Sequence, residues 1–341
     1  MKITTPVPDP GVEKIGGIRN ENKAPDLLQA AETCDRQCLV NLMQNYLAAL
    51  VKHDPAAVPF AKEAKFTENT ANIPVGDGFW VTATGGPTDF QVYAADPVAQ
   101  QVACLVVMKE VNKDVLLGAR LRLQRGRIAE AEHHVVREGV AYANLQKPRP
   151  GLVEDLAPAD RTPRDQMIDI GLSYYDALTG EDGTLAPFAE ECERRENGST
   201  SVGGSRRAKP KPAGEQPPQF PPPGSVDPEM AKLGMALAAA PNTCEAQISA
   251  GVWAYITEIK NRRLVVADEQ KGLAVGFSNF YHDSKLKTMK LKGIPGVESV
   301  PSYQGVFNMP AIHFFKIKKG KIYDIEATGL VLPYGTKSGW E

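Results

Sequence analysis

Two stretches of this chain are versions of one stretch. Tyr46 to Asn69 (YLAALVKHDPAAVPFAKEAKFTEN) aligns without a gap with Tyr174 to Asn197 (YYDALTGEDGTLAPFAEECERREN) at a constant offset of 128, and 10 of the 24 positions are identical. A duplicated unit decides the architecture before any single motif can. A second match, Gly126–Glu132 (GRIAEAE) with Gly320–Glu326 (GKIYDIE), has an offset of 194, so the second copy is longer by 194 − 128 = 66 residues. The obvious source is residues 198–229, rich in Pro, Gly, Ser and Lys and nearly free of apolar side chains. Such a segment cannot bury enough surface to offset its ordering entropy and reads as a mobile, partly polyproline-II loop. A smaller insertion, Ser284 to Pro310, carries KLKTMKLK and two Gly/Pro turns.

A length of 341 residues fits two domains, placed at 26–148 and 160–341, the second carrying the loop at about 198–229. Apolar residues at 42% and charged ones at 23% are those of a soluble globular protein. The net charge of −2 gives no electrostatic reason to expect nucleic acid or an anionic membrane, and the basic runs Arg206–Lys211 and Lys285–Lys292 read as solvated loops. No apolar run is long enough to span a membrane. The opening MKITTPVPDPGVEKIGG lacks the apolar region of a signal peptide as it stands, although a signal could have been removed ahead of it. Five cysteines leave at least one unpaired, which favours a reducing, cytoplasmic setting over a periplasmic or secreted one. Cys34 and Cys38, four apart at a helix start, suit a disulfide badly. Cys192 and Cys244 flank the low-complexity loop and could staple it. No CxxC or CxxH spacing suggests zinc.

From Asp35 to Lys52, Leu39, Leu42, Met43, Tyr46, Leu47 and Leu50 recur at three- and four-residue spacings, one buried stripe of an amphipathic helix. Asp54-Pro55 ends it, and Ala56–Ala64 is read as a second, short helix entered through the proline. Strands are then expected at Lys65–Asn69, Phe79–Thr84, Asp89–Ala94, Gln101–Lys109, Val115–Gln124 and Arg127–Arg137. The second copy repeats the order: helices Asp165–Leu178 and Leu185–Cys192, strand Arg194–Asn197, the loop, a helix around Pro228–Ala239, then strands at Gly251–Lys260, Arg263–Asp268, Leu273–His282, Ala311–Lys318 and Lys321–Leu332. Helices followed by a run of strands define an α+β plan, with helices on one face of a curved antiparallel sheet.

The helix, His-Asp-Pro, the Pro-Phe segment, a strand ending in Glu-Asn and a last strand opening Gly-(Lys/Arg)-Ile-x-x-x-Glu together resemble the nuclear-transport-factor-2-like group, which includes ketosteroid-isomerase-like and SnoaL-like proteins. The resemblance covers most of both copies. It implies a conical α+β domain with a hydrophobic ligand pocket between the helices and the concave sheet. Members pair through their outer sheet faces, so a tandem copy implies a covalent pseudo-dimer. Enzymes of the group are small acid/base catalysts that need no cofactor, working in an apolar pocket that shifts carboxyl and histidine pKa values towards neutrality.

Chemistry is therefore expected from ionisable residues of pocket-facing elements. In the last strand of the first copy, alternation sets Ile128, Glu130, Glu132 and His134 on one face and Ala129, Ala131, His133 and Val135 on the other, so one histidine points into the cone whichever face is concave. The aligned residues of the second copy are Ala327 and Thr328, which directs attention to the first half. His133 and His134 are the catalytic candidates, with Glu68, Tyr46 and Asp54 as partners. Asp54 and its counterpart Asp182 also read as caps. Tyr46 could donate to a developing oxyanion or simply pack. Trp80, Phe79, Tyr93 and Phe90 could line a substrate pocket or belong to the core. Arg120 and Arg122, on one strand face, either bind an acidic substrate group or pair with Glu130 and Glu132. Glu132 and Glu326, retained in both copies, read as architectural, with a salt bridge at the pseudo-dimer interface. His282 and His313 are isolated in the sequence and show no metal spacing. No GxGxxG, Walker loop, GxSxG or HExxH is present. The function expected is a cofactor-free lyase or isomerase of hydratase/dehydratase type acting on a small, largely apolar metabolite. The alternatives are a non-catalytic binding protein and an epoxide or lactone hydrolase. The small-molecule substrate is the one partner implied, and oligomers beyond the pseudo-dimer remain open.

Overall fold

The computed structural model describes residues 33–203, 240–294, 297–303 and 305–341. The helix read at Pro228–Ala239 and nearly all of the Pro/Gly-rich loop lie outside the described residues. The first half runs α1 (Arg36–Val51), β1 (Phe60–Glu68), β2 (Ala71–Asn72), α2 (Phe79–Thr82), β3 (Ala83–Gly85), β4 (Gln91–Asp96), β5 (Gln101–Glu110), β6 (Lys113–Gln124) and β7 (Arg127–Val136). After a linker holding α3 (Pro150–Val153), the second half runs α4 (Arg164–Gly180), β8 (Phe188–Glu196), β9 (Ser199–Val202), a short helix Cys244–Ser249, β10 (Glu258–Asp268), β11 (Leu273–His282), β12 (Thr288–Lys290), β13 (Ser299–Pro301), β14 (Phe307–Lys318), β15 (Lys321–Gly329) and β16 (Leu332–Pro333).

The equivalence is closer than the sequence repeat alone reveals. The pair α1/α4 starts at 36 and 164 and the pair β1/β8 at 60 and 188, an offset of 128 for both. The pair β5/β11 starts at 101 and 273, an offset of 172, while β6/β14 at 113 and 307 and β7/β15 at 127 and 321 are offset by 194. The 66-residue surplus thus divides into 172 − 128 = 44 residues between β8 and β10 and 194 − 172 = 22 around the β12–β13 hairpin. The Pro/Gly-rich loop supplies only the first part.

Each sheet is mixed where a purely antiparallel one was expected. The orders are β2-β1-β7-β6-β5-β3, with β4 also on β5, and β10-β11-β14-β15-β8-β9. The departure is one strand per half: β1 joins β7, and β8 joins β15, in parallel. The short helices read at Ala56–Ala64 and Leu185–Cys192 reduce to single 3₁₀ turns at Pro55–Ala57 and Gly183–Leu185, capped by the Asp54 and Asp182 carboxylates. Beyond each turn the chain is already strand, because Phe60 and Phe188 pair with Ile128 and Ile322. From Phe60 to Lys65 five steps of β1 face two of β7, from Ile128 to Glu130, and this bulge is where the sequence looked helical. Phe79–Thr82 is a helical turn where a strand was expected. The two strands read at Gly251–Lys260 and Arg263–Asp268 form one bulged strand preceded by a turn.

Alternation sorts every long strand between a cone and the interface. On β5, Val102, Cys104, Val106 and Met108 point into the first cone under α1, while Ala103, Leu105 and Val107 face the other half. They meet Val266, Val275, Phe277, Ile312 and Phe314 in a third core between the convex sheet faces. A Cβ on Gly118 would come within 2.5 Å of Ile312 Cδ1, so a larger residue there would require the Ile312 side chain to shift. The edge of the interface is reciprocal, as a two-fold contact requires. Asp96 accepts from Arg164 Nε at 2.9 Å and from the Ala267 amide at 3.1 Å. Asp268 accepts from Arg36 Nε and from the Ala95 amide, both at 3.0 Å. Arg36 and Arg164 are counterparts at the 128 offset, and the Asp pair and the Ala pair are counterparts at 172. The halves form a covalent pseudo-dimer.

Four of the five cysteines are paired. Cys192–Cys244 bridges β8 to the short helix, as the sequence allowed. Cys34–Cys38 is also bonded, against expectation: Cys34 lies outside the helix, before the N-cap Asp35, so its Cα comes 5.2 Å from that of Cys38. Cys104 is free and buried, and burial pushes its thiol up to about 12.

Candidate functional site

The strand β7 turns His133 into the first cone and His134 out to the interface. His133 is fully buried, its Nε2 is 2.8 Å from the Tyr46 hydroxyl, and its Nδ1 is 3.7 Å from Glu68 Oε2. Glu68 Oε2 also accepts from the Phe79 amide at 2.8 Å. Burial holds the Tyr46 hydroxyl well above its ordinary pKa. The structure thus brings Tyr46, His133 and Glu68 together. It surrounds them with packed rings: Trp80 lies edge-on to Tyr46 at 5.1 Å and Phe66 edge-on to His133 at 4.9 Å.

The other candidates of the first half lie elsewhere. Asp54 caps its 3₁₀ turn on the surface. His134 sits between the cones 3.9 Å from Glu132, and burial lowers its pKa to about 4. Phe90 belongs to the core between the sheets. Tyr93 donates to Gln91 at the edge of the first cone, and Trp80 is buried in that cone's core. Arg120 pairs with Glu130 at 2.8 Å and Glu132 at 3.2 Å, and Arg122 with Glu130 at 2.6 Å, the architectural alternative of the two readings. Glu132 reaches across to Arg263 of the second half at 2.7 Å, while Glu326 pairs with Arg149 of the linker at 3.1 Å. The Trp340 indole lies over Lys65 and Arg120 and donates to Thr67 Oγ1 at 3.0 Å, closing this cluster.

The second cone holds a cavity of about 80 Å³, several times the ~10–15 Å³ that one water molecule occupies. Its walls include Leu178, Ile256, Phe280, Met309 and Trp253. Three small residues, Ala311, Ala327 and Gly329, line it from β14 and β15. Their counterparts at the 194 offset are Leu117, His133 and Val135, buried in the first cone. Small side chains open the second cone where large ones fill the first.

The polar side chains of this cavity are Tyr174, Arg194, Glu196, Asn197, His313 and Thr328. His313 was missed as a candidate because it looked isolated in the sequence. It is paired with Ala327 across β14 and β15, whereas His133 is paired with Ala119 across β7 and β6. The offset of 194 carries Ala119 to His313 and His133 to Ala327. Each cone therefore keeps one inward histidine on the same cross-strand pair, with histidine and alanine exchanged. The His313 Nδ1 is 3.3 Å from the Tyr175 hydroxyl, and burial, then the Arg194 charge, lower its pKa to about 3, leaving a neutral imidazole.

Arg194 stands where the first cone has Phe66. It donates from Nε to Ser201 Oγ at 2.9 Å, from Nη1 to the Tyr174 hydroxyl at 3.3 Å and from Nη2 to Gln247 Oε1 at 3.1 Å. Its guanidinium lies 4.1 Å from the Trp253 ring. Glu196, the counterpart of Glu68, is 3.5 Å away, with its side chain 39% exposed against 3% for Arg194. The Cys192–Cys244 bridge ties β8 two residues before Arg194 to the helix that carries Gln247. A substitution of Phe by Arg at a buried position was the legible signal of this site, present in the 128-offset alignment itself.

Residues 160–329 match the profile of a family described as a domain of unknown function, DUF8021. A comparison with curated proteins gives no match. Solved structures similar to this chain include a protein assigned as a polyketide cyclase from Silicibacter sp. TM1040, at 15% identity and a TM-score of 0.27, covering 49% of this chain and 90% of that one. A protein assigned as a SnoaL-like polyketide cyclase from Jannaschia sp. CCS1 has 10% identity and a TM-score of 0.26, covering 52% of this chain and 90% of that one. AusH from Aspergillus nidulans has 13% identity and a TM-score of 0.26, covering 49% and 86%.

Proposed function

We propose that this protein is a cofactor-independent isomerase or lyase whose site is the cavity of the second cone, acting on a small, largely apolar carbonyl compound. The observation that supports this is the set of ionisable side chains, Arg194, Glu196 and His313, in a cavity that is otherwise apolar. A pure carrier has no need to bury the Arg194 cation, since a buried charge is costly unless it is used or paired.

Glu196, the wetter carboxylate at the mouth, takes a proton from the carbon next to the carbonyl. The bond's electron pair moves to the carbonyl oxygen, where the buried Arg194 guanidinium stabilises the developing charge. His313 offers a neutral imidazole to the same oxygen. Return of the proton from Glu196 to a different carbon completes an isomerisation, and expulsion of a β-hydroxyl as water completes a dehydration. An untargeted metabolite screen of wild type against Glu196→Gln and His313→Gln tests this. Conversion by wild type and at least a ~100-fold loss in Glu196→Gln is expected, on the scale of a general base. A metabolite bound equally by both and converted by neither makes the second cone a carrier.

A second reading places proton transfer in the first cone, on the contiguous Tyr46, His133 and Glu68. It requires His133→Ala/His134→Ala to abolish a conversion that His313→Gln leaves intact.

A further inference from the structure

The side chains around the second-cone cavity are unequal in hydrogen-bonding sense. Arg194 carries five N–H donors, and three acceptors take one each: Ser201 Oγ, the Tyr174 hydroxyl and Gln247 Oε1. Among the described residues, two N–H groups, one on each terminal nitrogen, are left over. Tyr174 accepts from Arg194, so its own O–H proton is free to donate. The indole Nε1 of Trp253 is buried without a hydrogen-bond partner among the described residues. Against this surplus of donors, Glu196 is the one anionic acceptor of the cavity lining among the described residues, and 39% of its side chain is exposed. The attraction between Glu196 and Arg194 is therefore partly screened, while the Arg194 charge acts on the cavity through a low dielectric. Donors buried without acceptors cost free energy until a ligand supplies acceptors.

From this, and resting on the second cone being the binding site, we infer that the ligand carries a carboxylate or a comparably anionic enolate oxygen on an apolar, ring-sized body. The oxygens face Arg194 and Tyr174, and the body lies against Trp253, Phe280 and Met309. Trp253 serves twice, as a wall of the cavity and as the ring that holds the guanidinium plane. Gln247 acts as a positioning residue through Arg194, and the Cys192–Cys244 bridge fixes the helix that carries it.

The test is calorimetric titration of the full chain with three compounds of one shape: benzoate, benzamide and benzamidine. Benzoate should bind about tenfold or more tightly than benzamide, the factor expected of a charge-assisted hydrogen bond, and benzamidine should bind least. In Arg194→Gln the preference for benzoate over benzamide should disappear. Since that variant could misfold, the ranking in wild type is decisive by itself. Equal or tighter binding of benzamide or benzamidine would overturn the ligand class. If that binding were also lost in Ala311→Leu, the cavity would still be the site. Binding unaffected by Ala311→Leu, or no binding of any of the three, would overturn the inference together with the site it rests on.

Discussion

The two cones share a plan down to the starting residues of their strands, yet one is filled and the other is hollow. Leu117, His133 and Val135 occupy in the first what Ala311, Ala327 and Gly329 leave open in the second, and Phe66 stands where the second buries Arg194. Their histidines face the same way from neighbouring strands. A duplicated chain needs only one copy to keep a ligand site, and the other is then free to optimise packing. In this chain the filled copy contributes a hydrophobic core and half of the interface, where its buried Arg120 is paired with two carboxylates, while the hollow copy buries Arg194 against its cavity. The His133/His134 pair points to the packed cone, because strand alternation shows that a side chain faces inward but not whether space remains around it.

The sharpest way to break the contrast is to hollow the filled cone. Leu117→Ala should cost ~2–5 kcal/mol in urea unfolding, the range for a buried leucine that leaves a cavity. A loss below ~1 kcal/mol would mean that the first cone is already loosely packed. The disulfides should differ next. Removing Cys192–Cys244, whose partners are 52 residues apart, should cost ~2–4 kcal/mol, and removing Cys34–Cys38, 4 residues apart, clearly less, because a longer closed loop restrains the unfolded chain more. Equal losses would contradict the role of the longer bridge as the staple of the hollow cone. The reciprocal carboxylates should then match each other: Asp96→Asn and Asp268→Asn should each cost ~1–3 kcal/mol, the range for a disrupted buried hydrogen bond. Unequal losses would show that the pseudo-two-fold is geometric and not energetic.

Acid sensitivity is spread over both histidines whose pKa is depressed. His134 falls to about 4 and His313 to about 3 through burial, against an ordinary value near 6.5. Between pH ~6.5 and ~4 the unfolded chain binds protons there that the folded chain refuses, so their contribution to stability is present above pH ~6.5 and declines as the pH falls. Urea midpoints measured from pH 7 to pH 4 should fall less steeply in His134→Gln/His313→Gln than in wild type. An unchanged slope would place protons on these imidazoles in the folded state.

Much of the frame was legible because the duplication supplied its own comparison. The helix stripe from Leu39 to Leu50, the retained Asp54 and Asp182 caps and the long strands from Gln101 onward all follow from local periodicity. Local pattern failed where a distant partner decided the outcome. Residues 60–64 and 188–192 have helical composition, but parallel pairing with β7 and β15 makes them strand. The Cys34 pairing depended on where the helix begins. His313 was invisible as a site residue because the offset changes twice between Asn197 and its strand, so only the strand register shows it exchanged with Ala327. The cavity itself required knowing three small residues to be neighbours on two strands.

The central claim is that the hollow second cone, and not the first, binds the ligand. It is tested most directly by thermal shift with saturating benzoate on wild type, Ala311→Leu and His133→Ala. Refilling the second cone should abolish the benzoate-induced rise in Tm, while His133→Ala should retain it. A rise that survives Ala311→Leu and disappears in His133→Ala would contradict the account and return the site to the first cone.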